Sequence, residues 1–131
     1  MPHILKVPEI YRNRSFPASD GTTQCVEFIK QTLNAPRTGA WSEGTKVKKL
    51  SAGDKDPISK GTAIATFVNR LYPQHGSTGK HAAIYLGQNA EGIQVLDQWE
   101  IQGKVLPRTI PWKPRRPGLS NDGNAFSVIE W

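Results

Sequence analysis

Apolar positions first fall into a regular pattern at Cys25, Val26, Phe28, Ile29 and Leu33, the spacing of one helix face. Asp20, Gly21, Thr22 and Thr23 form a turn and capping signal just before them, and Pro36 follows, which predicts a helix from about Thr23 to Asn34. The period then shortens. Gly61 to Phe67 is brief, apolar and rich in branched residues, as a buried strand requires, and Ala125 to Trp131 alternates as a last strand. His81 to Leu86 and Ile93 to Trp99 flank a polar turn from Gly87 to Gly92, the pattern of a β-hairpin. One early helix followed by antiparallel strands predicts an α+β domain with the helix on one sheet face.

The remaining segments lack a period. Up to Gly21 the chain mixes Pro2, Pro8 and Pro17 with polar residues, which predicts irregular structure with one helical turn around Pro8 to Arg12. Residues 37–60 are polar, interrupted by Trp41 and Gly44, and read as a loop; Pro73, Gly76 and Gly79 mark another. Leu106 to Gly118 carries Pro107, Pro111, Pro114 and Pro117 with four basic residues, which predicts an exposed basic loop rather than a strand.

Composition narrows the class. A chain of 131 residues that is 37% hydrophobic and 21% charged suits one globular domain spanning residues 1–131. No apolar run reaches the roughly 20 residues of a membrane span, and Met1 to Ile10 lacks a signal-peptide layout, so a product made in the cytoplasm without a signal peptide is expected. A single cysteine excludes an intramolecular disulfide. The net charge of +6 favours an anionic partner: nucleic acid, anionic lipid or anionic cell wall.

The chemistry centres on that cysteine. Cys25 falls in the first turn of the predicted helix, where unpaired backbone N–H groups and the helix dipole favour a thiolate over a buried, inert thiol. A thiolate nucleophile needs an imidazole to share its proton. His3 lies near a terminus and His75 in a Pro/Gly loop, whereas His81 opens a predicted central strand with its ring able to face the packed helix. Ile93, Val95, Asp97 and Trp99 form one face of the second hairpin strand, and Gln94, Leu96 and Gln98 form the other. Asp97 orients His81 if its set shares a face with His81, Ala83 and Tyr85; a one-residue slip gives that role to Gln98. The Cys25 backbone N–H is the natural oxyanion donor, with Gln24 either a second donor or a solvated helix-start residue. Trp41, Trp99 and Trp112 line a groove or fill the core. The scattered histidines and the cysteine lack ligand spacing, so no metal site is read, and no cofactor is expected.

In that order, Gln24-Cys25, Gly61 to Phe67, Gly79 to Gly87 and Gly92 to Trp99 resemble cell-wall amidases of the CHAP and NlpC/P60 type, in the papain-like superfamily. Within it, the chain is similar to the second family of type VI secretion amidase effectors, through Gln24-Cys25-Val26, Gly61 to Phe67, His81 to Tyr85 and Asp97-Gln98-Trp99. The resemblance implies a papain-like fold with a nucleophile helix on an antiparallel sheet. It also implies a secreted toxin acting in a neighbouring bacterium's periplasm and cutting the D-alanyl to meso-diaminopimelate bond of peptidoglycan. The implied partners are the peptide substrate, the type VI secretion apparatus and a cognate immunity protein, with no nucleic acid and no membrane insertion among them. Two rival readings are a non-catalytic basic module using Lys46, Lys48, Lys49, Arg108, Lys113, Arg115 and Arg116, and a papain-like acyltransferase or deamidase.

Overall fold

The helix forms where the apolar spacing predicts it. In the computed structural model, which describes residues 2–76 and 79–131, α1 spans Cys25–Leu33 with Gln24 as N-cap. It ends because Asn34 takes the left-handed conformation, φ 53° and ψ 45°, two residues before Pro36. Phe28 and Ile29 are fully buried against Ala63, Ala65, Ala82, Ile84 and Leu96. Alanines at the contact let the helix approach the sheet closely, while Phe28 fills the remaining space beside Phe16 and Tyr11.

Six antiparallel strands form the sheet: β1 (Ser42–Lys46), β2 (Ala63–Thr66), β3 (Ala82–Gln88), β4 (Gly92–Asp97), β5 (Leu106–Pro111) and β6 (Phe126–Glu130), in the order β1-β6-β2-β3-β4-β5. The second face buries Ile64, Ala83, Tyr85, Ile93, Val95, Ile110 and Phe126. This is the expected α+β, papain-like arrangement. The predicted turn near Pro8 is a 3-10 helix, Pro8–Tyr11. The start of the chain is less irregular than expected, since Leu5 N–H donates to Gly61 and the His3 carbonyl accepts from Ala63 N–H. Met1, and the part of the predicted 73–79 loop at Ser77 and Thr78, lie outside the described residues.

Two strands stand where loops were expected. β1, within the polar stretch 37–60, pairs with β6 through its backbone, and its exposed Ser-Glu-Gly-Thr-Lys sequence carries no alternation to reveal it. Gly44 is needed there, because a Cβ would lie 2.9 Å from Glu130 Cγ and 3.0 Å from the Val128 carbonyl oxygen. β5 is a strand despite Pro107 and Pro111 because it is an edge paired only with β4. Lying four apart, both prolines turn their N–H-less nitrogens to the open side, while Arg108 and Ile110 between them are the positions that face β4.

The β3–β4 hairpin contains a register shift that matters for chemistry. Gln88 pairs with Ile93 and Gly87 with Gln94, but Tyr85 pairs with Val95 and Ile84 with Leu96. The extra residue, Leu86, is a bulge beside Gly87, whose φ of +151° suits glycine. Had the register at the turn continued, Asp97 would lie opposite Ile84 on the helix side. The bulge moves it opposite Ala83, on the face of His81.

Candidate active site

Three features converge on one end of the sheet: the start of α1, the residue preceding β3 and the end of β4. Cys25 is the first residue of the helix, so its own backbone N–H has no intrahelical acceptor. The helix start is tied to β4 by Gln98, whose Nε2 donates to the Gln24 carbonyl at 2.9 Å and the Phe16 carbonyl at 2.8 Å, while its Oε1 accepts from Phe16 N–H at 3.1 Å. Thr23 Oγ1 donates to the Trp99 carbonyl at 3.2 Å. His81 is fixed through Thr66, whose hydroxyl accepts from His81 N–H and donates to the Gly79 carbonyl, each at 3.1 Å.

The His81 ring follows Ala83 and Tyr85 onto the face away from α1, with its edge toward Phe126 at a centroid distance of 6.3 Å. The ring therefore does not face the helix across the sheet, as expected from the chain. It meets Cys25 because both residues sit at the same end of the sheet. Its Nε2 lies 2.6 Å from Asp97 Oδ2, which leaves Nδ1 for the thiol. Asp97 is completely buried, and Arg108 Nε–H donates to the same Oδ2 at 2.8 Å. Arg108 Nη2 is 3.2 Å from His81 Nε2, and its guanidinium lies 5.0 Å from the Trp99 ring centroid. Tyr72 Oη stands 3.8 Å from Cys25 Sγ.

Electrostatics favour an ion pair. Burial pushes the Cys25 thiol up, but the His81 charge, its hydrogen bond, the Ala82 N–H and the Tyr72 hydroxyl outweigh it and bring the thiol below its ordinary value. Burial likewise works against the imidazolium, yet the Cys25 thiolate and the Asp97 carboxylate push His81 up to about 9. Burial and the neighbouring thiolate raise the Tyr72 phenol, so it remains a donor. A thiolate beside an imidazolium, at a helix start, can attack a carbonyl carbon and return a proton to the group expelled.

The family model described as domesticated amidase effector 2 matches residues 6–129. The type VI secretion amidase effector 2 protein of Salmonella typhi is 47% identical over 82% of this chain and 84% of its own. The domesticated amidase effector 2 of Ixodes scapularis is 33% identical, over 82% of this chain and 70% of its own. The chain belongs to the second family of amidase effectors. A solved type 6 secretion amidase effector 2 superposes with a TM-score of 0.79 at 33% identity, covering 97% of this chain and 93% of that one.

Against this amidase-effector background, the predicted residues divide clearly. Cys25, His81 and Asp97 come together, whereas Gln98 points to the other face and braces the helix start. The Gln24 side chain is exposed and donates to Thr22 Oγ1 at 3.2 Å, but it lines the groove in which Cys25 opens. Trp41 is core; Trp112 is buried in the core of the second face, with its Nε1–H on the Asn89 carbonyl at 2.9 Å, and also borders the groove. Trp99 lines the groove. His3 stacks on Trp131, with centroids 3.4 Å apart, and His75 is exposed.

Two residues of this effector's site escaped the sequence reading. Tyr72 follows Leu71 in an aperiodic segment, and nothing in its surroundings signals a thiol 47 positions earlier. From the chain alone, Arg108 reads as one of the exposed loop cations. Its strand alternation, with Arg108 opposite Val95, is the signal that would have turned it toward Asp97 and His81.

Proposed function

We propose that this amidase effector is a cysteine peptidase that cuts peptide cross-links of peptidoglycan, at the D-alanyl to meso-diaminopimelate amide, inside a neighbouring cell's periplasm. The observation that carries the reading is the chain of contacts from Cys25 through His81 to Asp97 at the floor of an open groove. The groove is rimmed by Lys49, Lys80, Lys113, Arg115 and Arg116 against Glu91 and Glu100, which suits a peptide bearing free carboxylates.

In the mechanism, Cys25 Sγ attacks the amide carbonyl, and the oxyanion forms near the Cys25 backbone N–H, with Gln24 a second candidate donor. His81 Nδ1–H passes to the departing amine as the C–N bond breaks, leaving a thioester and a neutral imidazole. Water then attacks the thioester, Nδ1 takes its proton, and the C–S bond breaks to restore the ion pair. Asp97 holds Nε2–H and so keeps Nδ1 toward the sulfur. A cognate immunity protein and the type VI apparatus complete this reading.

The test is mass spectrometry of purified cross-linked muropeptides after incubation. Cleavage at the named bond by the wild type and none by Cys25→Ala is the expected result. Intact muropeptides with the wild type would sink the peptidase reading. Cleavage by the variant would remove Cys25 from the mechanism.

A further inference from the structure

The peptidase cycle above leaves one electrostatic problem. Asp97 is fully buried, its Oδ2 accepts from both His81 and Arg108, and its Oδ1 has no partner among the described residues. A buried carboxylate is costly to keep charged, and a neighbouring cation offsets much of that cost. His81 fills that role in the resting ion pair but becomes neutral once its proton has gone to the departing amine. Throughout the thioester stage, Arg108 is the cation still bonded to Asp97, and a guanidinium does not lose its charge at working pH.

We infer that Arg108 is a positioning residue: as a permanent counter-ion it holds the Asp97 carboxylate aimed at His81 Nε2 while the imidazole is neutral. The inference rests on the peptidase reading. Three observations support it together. Arg108 donates to Asp97 through Nε–H, and the planar guanidinium carries that direction to its terminal nitrogens. Trp99 lies against that plane, with its ring centroid 5.0 Å from the guanidinium carbon. Nη2 sits 3.2 Å from His81 Nε2, where a positive charge opposes the imidazolium and eases release of its proton.

The charged groups around His81 are Cys25 from α1, Asp97 from β4 and Arg108 from β5, with Lys80 preceding it in the chain and the Tyr72 hydroxyl approaching through Cys25. Without Arg108, Asp97 is answered by His81 alone, and the imidazolium is held more tightly. The step that suffers is then thioester hydrolysis, which needs the neutral ring as base. Acylation must release that proton too, but it starts from the ring already protonated and so suffers less than a step that needs the ring neutral beforehand.

The experiment measures kcat and kcat/KM against pH on a purified cross-linked muropeptide, with mass spectrometry of the protein to detect a thioester adduct. For Arg108→Met, kcat near neutral pH should fall about tenfold or more, with kcat/KM less affected. The adduct should accumulate, and the acid limb of kcat should move to higher pH. Arg108→Lys should recover part of the loss. A raised KM with unmoved kcat would overturn the inference, assigning Arg108 to substrate contact; so would a lowered kcat with an unmoved limb. Folding could fail in Arg108→Met, so the same change is also made beside Asp97→Asn, which removes the buried charge. There it should cost nothing beyond Asp97→Asn alone, and a further loss overturns the inference. Absence of turnover by the wild type would instead defeat the peptidase reading.

Discussion

Asp97 and Gln98 are consecutive in the chain but serve opposite faces of the sheet, Asp97 meeting His81 Nε2 at 2.6 Å and Gln98 reaching the Gln24 carbonyl at 2.9 Å. Their substitutions should therefore fail differently. Asp97→Ala should lower kcat by about a hundredfold or more while the protein stays folded. Gln98→Ala leaves the buried Phe16 N–H without its acceptor and should cost about 1–3 kcal/mol of stability with a smaller loss of rate. Steady-state kinetics with urea denaturation on both variants decides it. The reverse order of rate losses would transfer the orienting role to Gln98.

Cys25 and His81 form one proton-sharing unit, so their losses should not add. Each alanine variant should lose at least about a thousandfold in turnover, and the double variant little more than either. Multiplied losses would mean that the two residues act in separate steps.

The pH profile of kcat/KM should be bell-shaped. Below the lowered thiol value the nucleophile is protonated, and above about 9 the imidazolium loses the proton it must deliver, so activity falls on both sides. Because the hydrogen bond and charge of Asp97 help to raise His81, Asp97→Asn should shift the alkaline limb downward. A limb that stays in place would argue against an electrostatic role for that carboxylate.

Phe28 tests the packing that sets the site. It is fully buried between α1 and the sheet, with the Phe16 ring 5.4 Å away. Phe28→Ala should cost about 3–5 kcal/mol in urea denaturation. A loss below about 1 kcal/mol would mean that the helix is held by its capping contacts instead.

Much of this was legible along the chain because α1 and the β3–β4 hairpin each bury a face, and burial writes a period into the residues. Edge strands write less. β1 exposes most of its side chains and β5 places prolines where its backbone needs no partner, so neither presents the alternation of a strand. The pairing of His81 with Asp97 depended on the bulge at Leu86, a one-residue change that side-chain patterning does not encode. Tyr72 and Arg108 join the site through contacts across 47 and 27 positions, visible only once the sheet is assembled.

The position of β6 constrains the order in which the protein can acquire its shape. β6 lies between β1 and β2, and its first link to β1 joins Ser42 to Glu130. An emerging chain can close the local β3–β4 hairpin early, but β1, tied before then by the Ser42–Leu71 bridge and by Glu43 N–H on the Arg70 carbonyl, gains its strand partner only once β6 has been made. A chain shortened before residue 126 should therefore leave β1 without its β6 partner. Pulse-labelling hydrogen exchange during refolding should show protection at Ile84 and Leu96 before protection in β1. Simultaneous protection would mean that the sheet forms in one concerted step.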